Sequence, residues 1–128
     1  MTAARLEHVN ITVSDPGATA AWIGRVFGWK TRWEGPAMGS AYAVHVGDAE
    51  AYVALYSPPG GPAEPKDDSY TTRGGLNHWA VVVDDIEATE ARVKAEGFTP
   101  GNHADYEPGR RFYFQDGDGI EVEVVQYD

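Results

Sequence analysis

The sequence predicts an α+β fold of two tandem strand–helix–three-strand modules, an expectation that rests on three observations. First, a stretch occurs twice. Leu6 to Asp15 reads Leu-Glu-His-Val-Asn-Ile-Thr-Val-Ser-Asp, and Leu76 to Asp85 reads Leu-Asn-His-Trp-Ala-Val-Val-Val-Asp-Asp. His8 and Asp15 thus recur 70 residues later as His78 and Asp85. Second, each copy runs into a helical pattern that stops at a glycine, Gly28 or Gly97. Third, each glycine is followed by short strand patterns with turn residues between them. A repeat of this length decides the fold before any one element does.

Taken in order, residues 6–13 form an apolar, β-branched run of strand length. Asp15-Pro16 is a helix start, with a capping side chain and proline at the first helical position. Trp22, Ile23, Val26 and Phe27 then make one apolar stripe, and Gly28 supplies a left-handed stop. Strands are expected at 29–34, 42–46 and 51–56, with a loop at 35–40. Residues 57–75 are rich in Pro, Gly, Asp and Ser and show no period, so they read as a linker. In the second half Asp84 and Glu87 suggest a capping box, and the helix runs through Val93 to Gly97. A short strand at 98–102, a loop at 102–109 and a hairpin of 110–115 with 120–127 complete the chain. Beyond the helix the repeat spacing becomes 69, which pairs Gly28 with Gly97, Gly47 with Asp116 and Ala54 with Glu123. The expected organisation is one domain, 1–128, with a first module at about 5–57, a linker at 58–75 and a second module at about 76–128.

Composition narrows the function classes. At 128 residues, 42 % hydrophobic and 23 % charged, the chain suits one globular domain with a real core. No apolar run approaches the roughly 18 residues of a membrane span, and the first residues carry no secretory pattern. There is no cysteine, so thiolate chemistry is excluded, and a cytoplasmic setting is expected. The formal charge of −10 would repel nucleic acid. A small-molecule partner is expected, and neither nucleic acid nor membrane.

Side chains alternate across a strand. Val9, Ile11 and Val13 form the apolar face of the first strand, which leaves His8 on the other. By the same count His78 faces away from the second helix, and Glu121, Glu123 and Val125 share one face of the last strand. Two duplicated imidazoles and a mid-strand carboxylate therefore point away from the helices.

This pattern resembles the vicinal oxygen chelate superfamily, also called the glyoxalase, bleomycin-resistance and dioxygenase superfamily. The two repeated stretches and the terminal Tyr-Phe-Gln-Asp-Gly-Asp-Gly-Ile-Glu-Val-Glu carry the resemblance. It implies paired βαβββ modules forming a cup-shaped mixed sheet, within one chain or across a homodimer. It also implies a divalent metal (iron, zinc, manganese or nickel) held by His8, His78 and Glu123. Two imidazoles and one carboxylate leave open positions, as a catalytic site requires. The implied activity is a metal-dependent lyase, isomerase or dioxygenase acting on a small oxygenated molecule. The alternative is metal-free binding or drug sequestration.

Further site residues follow by position. Tyr113 and His103 are expected to be catalytic, since His103, Tyr113 and Glu123 resemble the His, Tyr, Glu order of ring-cleaving dioxygenases. Tyr56, Tyr42 and Arg111 are expected to bind substrate, with Tyr52 beside Tyr56. Ala54 stands where a glyoxalase would carry a fourth, glutamate ligand, and Gly117 where the last hairpin usually has proline. His45 is expected at the surface, and Glu121 as a solvated carboxylate at the hairpin rim.

Overall fold

A computed structural model describes all residues, Met1 to Asp128. The elements are β1 (His8–Thr12), α1 (Pro16–Phe27), β2 (Lys30–Pro36), β3 (Tyr42–Gly47), β4 (Tyr52–Ser57), β5 (His78–Val82), α2 (Ile86–Ala95), β6 (Gly101–Tyr106), β7 (Gly109–Gln115) and β8 (Glu121–Tyr127). They fall into two compact units, Met1–Ala63 and Glu64–Asp128. Each holds one helix and one four-stranded mixed sheet, in the orders β1-β4-β3-β2 and β5-β8-β7-β6. In both, the first strand runs parallel to the last and the other pairs are antiparallel. The two tandem βαβββ modules expected from the repeat are thus present.

In the first unit, the Asp15 side chain accepts the Ala18 N–H at 3.1 Å, and Pro16 opens the helix. Gly28 closes it at φ 74°, a conformation that glycine adopts without steric cost. The helix buries Thr19, Ala20, Trp22, Ile23 and Val26 and packs on β3 and β4, whose Val44, Val46, Val53 and Leu55 are also buried. Fully burying a side chain such as Ile23 contributes about 1.5–3 kcal/mol.

The second unit is built the same way, with two departures from the sequence expectation. Its helix cap is Asp85, whose side chain accepts the Ala88 N–H at 3.0 Å. Glu87 pairs with Arg110 instead of completing a box with Asp84. The polar stretch 102–106, expected as loop, belongs to β6. A register shift lies between Gly101 and Ala104, and Asn102 takes φ 51°. An edge strand needs no apolar face to pair, so this stretch carries no alternation to betray it. The helix buries Ile86, Thr89 and Val93, and the sheet beneath supplies Phe112, Phe114, Val122 and Val124.

The registers locate the slips in the repeat. His8 lies beside Tyr52 and His78 beside Glu121, which confirms the spacing of 69 on the last strands and the match of Ala54 with Glu123. His45 pairs with Ala54 and Tyr113 with Glu123, so on β3 and β7 the spacing falls to 68. Gly47 therefore corresponds to Gln115 and not to Asp116. The cause is turn length: residues 48–51 join β3 to β4, whereas 116–120 join β7 to β8. An aspartate pins each turn. Asp48 accepts N–H groups from Glu50 and Ala51, and Asp116 accepts them from Asp118 and Ile120.

Candidate functional site

On the second unit, the sheet face away from α2 gathers His78 from β5, Glu123 and Glu121 from β8, and Tyr113 and Arg111 from β7. Strand alternation and register place them there: His78 is opposite Glu121, Tyr113 opposite Glu123, and Arg111 opposite Val125. Glu123 is only 8 % exposed. One of its oxygens, Oε1, lies 3.1 Å from His78 Nε2, and the other accepts from Arg111 Nη1 at 2.9 Å. A buried carboxylate needs such partners, because an unpaired charge there is costly. The other ring nitrogen of His78 is 3.3 Å from Glu121 Oε1 and 3.3 Å from the Tyr70 hydroxyl, and that hydroxyl donates to Glu121. The Tyr113 ring meets His78 edge-on at 5.6 Å. Arg111 stacks over Tyr106 at 4.6 Å, and its Nε is buried with no hydrogen-bond partner.

The electrostatics follow from these contacts. Burial raises the Tyr113 hydroxyl above its ordinary pKa, and the Glu123 charge adds to this. The hydrogen bond to Glu121 pushes Tyr70 up to about 12, so that it stays a donor. Burial works against the Arg111 charge, but Tyr106 and Glu123 outweigh it and keep the guanidinium protonated.

Tyr70 and Glu121 were missed in the sequence. Glu121 is not a solvated rim carboxylate; it orients His78. Tyr70 lies in an aperiodic stretch, yet a turn around Asp68 fixes it: the Asp68 side chain accepts the Tyr70 N–H, and its carbonyl accepts from Thr71 and Thr72.

On the first unit, the corresponding face carries His8, Tyr52, Ala54, Tyr56 and His45. His8 stacks on Tyr52 at 4.8 Å, and its Nδ1 lies 2.8 Å from Glu7. The expectation of a surface His45 on another face is corrected: it shares His8's face and stacks on Tyr52 at 4.6 Å. Burial is the main cause that lowers its pKa, followed by the charges of His8 and Arg32. Tyr42 alternates to the other face, with Val44, and its hydroxyl donates to Glu34 at 2.8 Å. It is therefore not brought to the face of Tyr56.

His103 also departs from its expected company. It stacks on Phe112 at 5.8 Å and meets Glu90 of α2 at 2.9 Å, on the sheet face opposite Tyr113 and Glu123. There it lines an open cavity of about 360 Å³ with Ile86, Glu87, Glu90, Arg110 and Phe112.

His78 and Glu123 form a neighbouring donor pair of the kind a divalent metal takes, with the second His78 nitrogen held by a carboxylate as metal-bound imidazoles require. The expected third donor, His8, belongs to the first unit. No group of three or more His, Cys, Asp or Glu side chains in the structure is arranged to hold a metal ion. The donor types fit a divalent ion, and the grouping supplies two of the three.

Residues 5–124 match the family model described as the glyoxalase/bleomycin resistance protein/dioxygenase superfamily. Comparison with curated proteins finds no match. Among solved structures, the chain is similar to a glyoxylase/bleomycin resistance protein/dioxygenase domain from Frankia sp. EAN1pec. The TM-score is 0.81 at 22 % identity, over 99 % of this chain and 100 % of that one. It is also similar to TnmS3, an antibiotic binding protein from Streptomyces sp. CB03234, with TM-score 0.74, 20 % identity, and 100 % and 99 % coverage. A third is the fosfomycin resistance protein FosX from Listeria monocytogenes, complexed with Mn(II) and sulfate, with TM-score 0.74, 18 % identity, and 99 % and 95 % coverage. At these identities the structures speak for the fold, while the family model spans nearly the whole chain. The chain belongs to the glyoxalase/bleomycin resistance protein/dioxygenase superfamily.

Proposed function

We propose that the chain is a metal-dependent enzyme acting on a small oxygenated molecule, with His78, Glu123 and His8 as ligands of one divalent ion. The observation that carries this reading is the His78–Glu123 pair at 3.1 Å, with Glu121 and Tyr70 holding the second His78 nitrogen. A bound metal would polarise substrate oxygens and stabilise negative charge that develops on them. The protein's own groups suit the same task. The Tyr113 hydroxyl lies on the same face, edge-on to His78 and beside Glu123, as an O–H donor for a substrate oxygen. FosX, which shares the fold, has been crystallised with Mn(II). A homodimer and a cytoplasmic setting belong to the same reading; no helix is long and apolar enough to cross a membrane.

The test is calorimetric titration of chelator-treated protein with Mn(II), Zn(II) and Fe(II). The unmodified chain should bind one equivalent of at least one ion, and His78→Ala and Glu123→Gln should each weaken binding at least tenfold. His8→Ala should do the same. Normal affinity in all three variants would overturn the assignment.

A second reading, metal-free binding of a small molecule, is favoured by the Arg111–Glu123 ion pair. That pair already neutralises the buried carboxylate without a metal. Absence of stoichiometric metal binding in the same titration would leave this reading in place.

A further inference from the structure

We propose that the cavity between α2 and the sheet of the second unit is a binding site for a small organic cation, an ammonium group carried on an apolar body. The site is on the sheet face opposite His78 and Glu123, and it does not rest on the metal assignment.

The two halves differ where their helices meet their sheets. The caps fix the correspondence: Asp15 and Asp85 each accept the N–H of the residue three further on, and Thr19 and Thr89 are both buried. Ala20 therefore corresponds to Glu90, and Trp22 to Arg92. In the first unit Ala20 and Trp22 are buried, and α1 packs on β2, β3 and β4. In the second, α2 packs chiefly on β8, and a space of about 360 Å³ is left beside β6 and β7. The irregular edge strands do not account for the difference. The register shifts on both, between Thr31 and Trp33 on β2 and between Gly101 and Ala104 on β6. What differs is the side chain on the inner face of the helix. The Glu90 side chain is 23 % exposed, and sheltering a carboxylate carries a desolvation cost that the first unit avoids with alanine.

The groups around the space set its preference. Ile86 and Phe112, both buried, close it on the inside. Arg110 alternates to the same side of β7 as Phe112, and Asp105 is directly opposite Arg110. Three carboxylates, Glu87, Glu90 and Asp105, thus share the cavity with the Arg110 guanidinium. Arg111 also borders it, but its guanidinium is held on the other face by Glu123 and Tyr106. Arg110 is taken by Glu87. Glu90 meets His103 at 2.9 Å and Lys94, which does not line the cavity, at 3.5 Å. Asp105 makes no salt bridge. The balance is negative, and the chain's formal charge of −10 reinforces it by drawing cations and repelling anions. An ammonium group here meets Glu90 and Asp105, while its apolar body covers Ile86 and Phe112. Partial shelter from water strengthens that attraction, and the volume suits one small molecule.

The test uses chelator-treated full-length protein and three probes of one shape: phenethylammonium, 2-phenylethanol and 3-phenylpropanoate. Each is titrated by calorimetry and by amide-resolved NMR. Phenethylammonium should bind at least tenfold more tightly than either of the others, because it alone joins the apolar body to a positive charge. Its amide shifts should centre on α2 and β6. Glu90→Gln should weaken it about tenfold, the size of one sheltered charge-assisted contact, and Asp105→Asn by at least about threefold. Glu50→Gln, which removes the same charge from a turn of the first unit, should leave affinity unchanged. Circular dichroism checks folding, and Asp105→Asn, on the exposed edge strand, keeps the test decisive if Glu90→Gln does not fold. Equal affinity for the alcohol, unchanged affinity in both cavity variants, or no phenethylammonium binding at millimolar concentration would each overturn the proposal. Shifts centred on His78 and Glu123 would do so as well. Because metal is absent throughout, its failure is distinct from failure of the metal assignment.

Discussion

Asp116 is a buried carboxyl that makes no salt bridge in the structure; its partners are the backbone N–H groups of Asp118 and Ile120. Burial raises its pKa above the ordinary 3.8, against those hydrogen bonds. Folding therefore favours the protonated form, and the stability tied to it is full below pH 3.8. It is lost as pH rises through the raised folded pKa. Asp116→Asn keeps an acceptor oxygen without the charge, so its thermal midpoint at pH 7 should equal or exceed that of the unmodified chain. Asp116→Ala strands two N–H groups and should lose about 1–3 kcal/mol at any pH. Thermal melts at pH 4 and 7 decide; a clear loss in the asparagine variant would show that the charge itself is needed. At the same scale, His78 shows what a single residue's position conveys. Its repeat with His8 is visible in the sequence, and so is the shared face with Glu123. Its two partners at Nδ1 are not, because Tyr70 lies in an aperiodic stretch and comes to Glu121 only through the turn around Asp68.

Helix starts are the elements most directly set by single side chains. Asp85 caps α2, and Asp84 is exposed. Asp85→Ala should therefore cost about 1 kcal/mol, and Asp84→Ala no more than about 0.5 kcal/mol. Urea titration of the pair checks this; equal losses would move the cap. Two adjacent aspartates present the same local signal, and the spacing to Glu87 favoured Asp84; the repeat, which matches Asp85 with the α1 cap Asp15, points to the residue that caps α2. The remaining elements divide by physical cause. β1, α1, β5 and α2 were legible because each buries one face and so imposes a period. β6 was not, because a polar edge strand with a register shift imposes none. Alternation placed Glu123 and Tyr113 correctly on one face. It also put His45 opposite Tyr42 and Val44, but that this is the face of His8 was overlooked, and His103, expected in a loop, was given no face.

At the scale of the whole chain, the two halves share a scaffold and differ in what they carry. Ala54 is 2 % exposed and stands where the second half has Glu123. Alanine neither coordinates nor takes a proton, so the hemithioacetal of methylglyoxal and glutathione should be a poor substrate of the metal-loaded protein, at least a hundredfold slower than with a true glyoxalase. Efficient turnover in a direct assay would mean that another residue, such as Glu121, supplies the missing group. The register shifts have a consequence for solubility. Both β2 and β6 are edge strands, and both are irregular. An exposed edge of regular backbone is a template for pairing with another molecule, and a bulge or an edge proline spoils it. On β2 the extra Arg32 and the terminal Pro36 serve in that way. Deleting Arg32 would join Thr31, opposite Val46, directly to Trp33, opposite His45, and so straighten the strand without changing its register. The shortened protein should then self-associate through that edge, visible as concentration-dependent growth in light scattering where the full chain shows none.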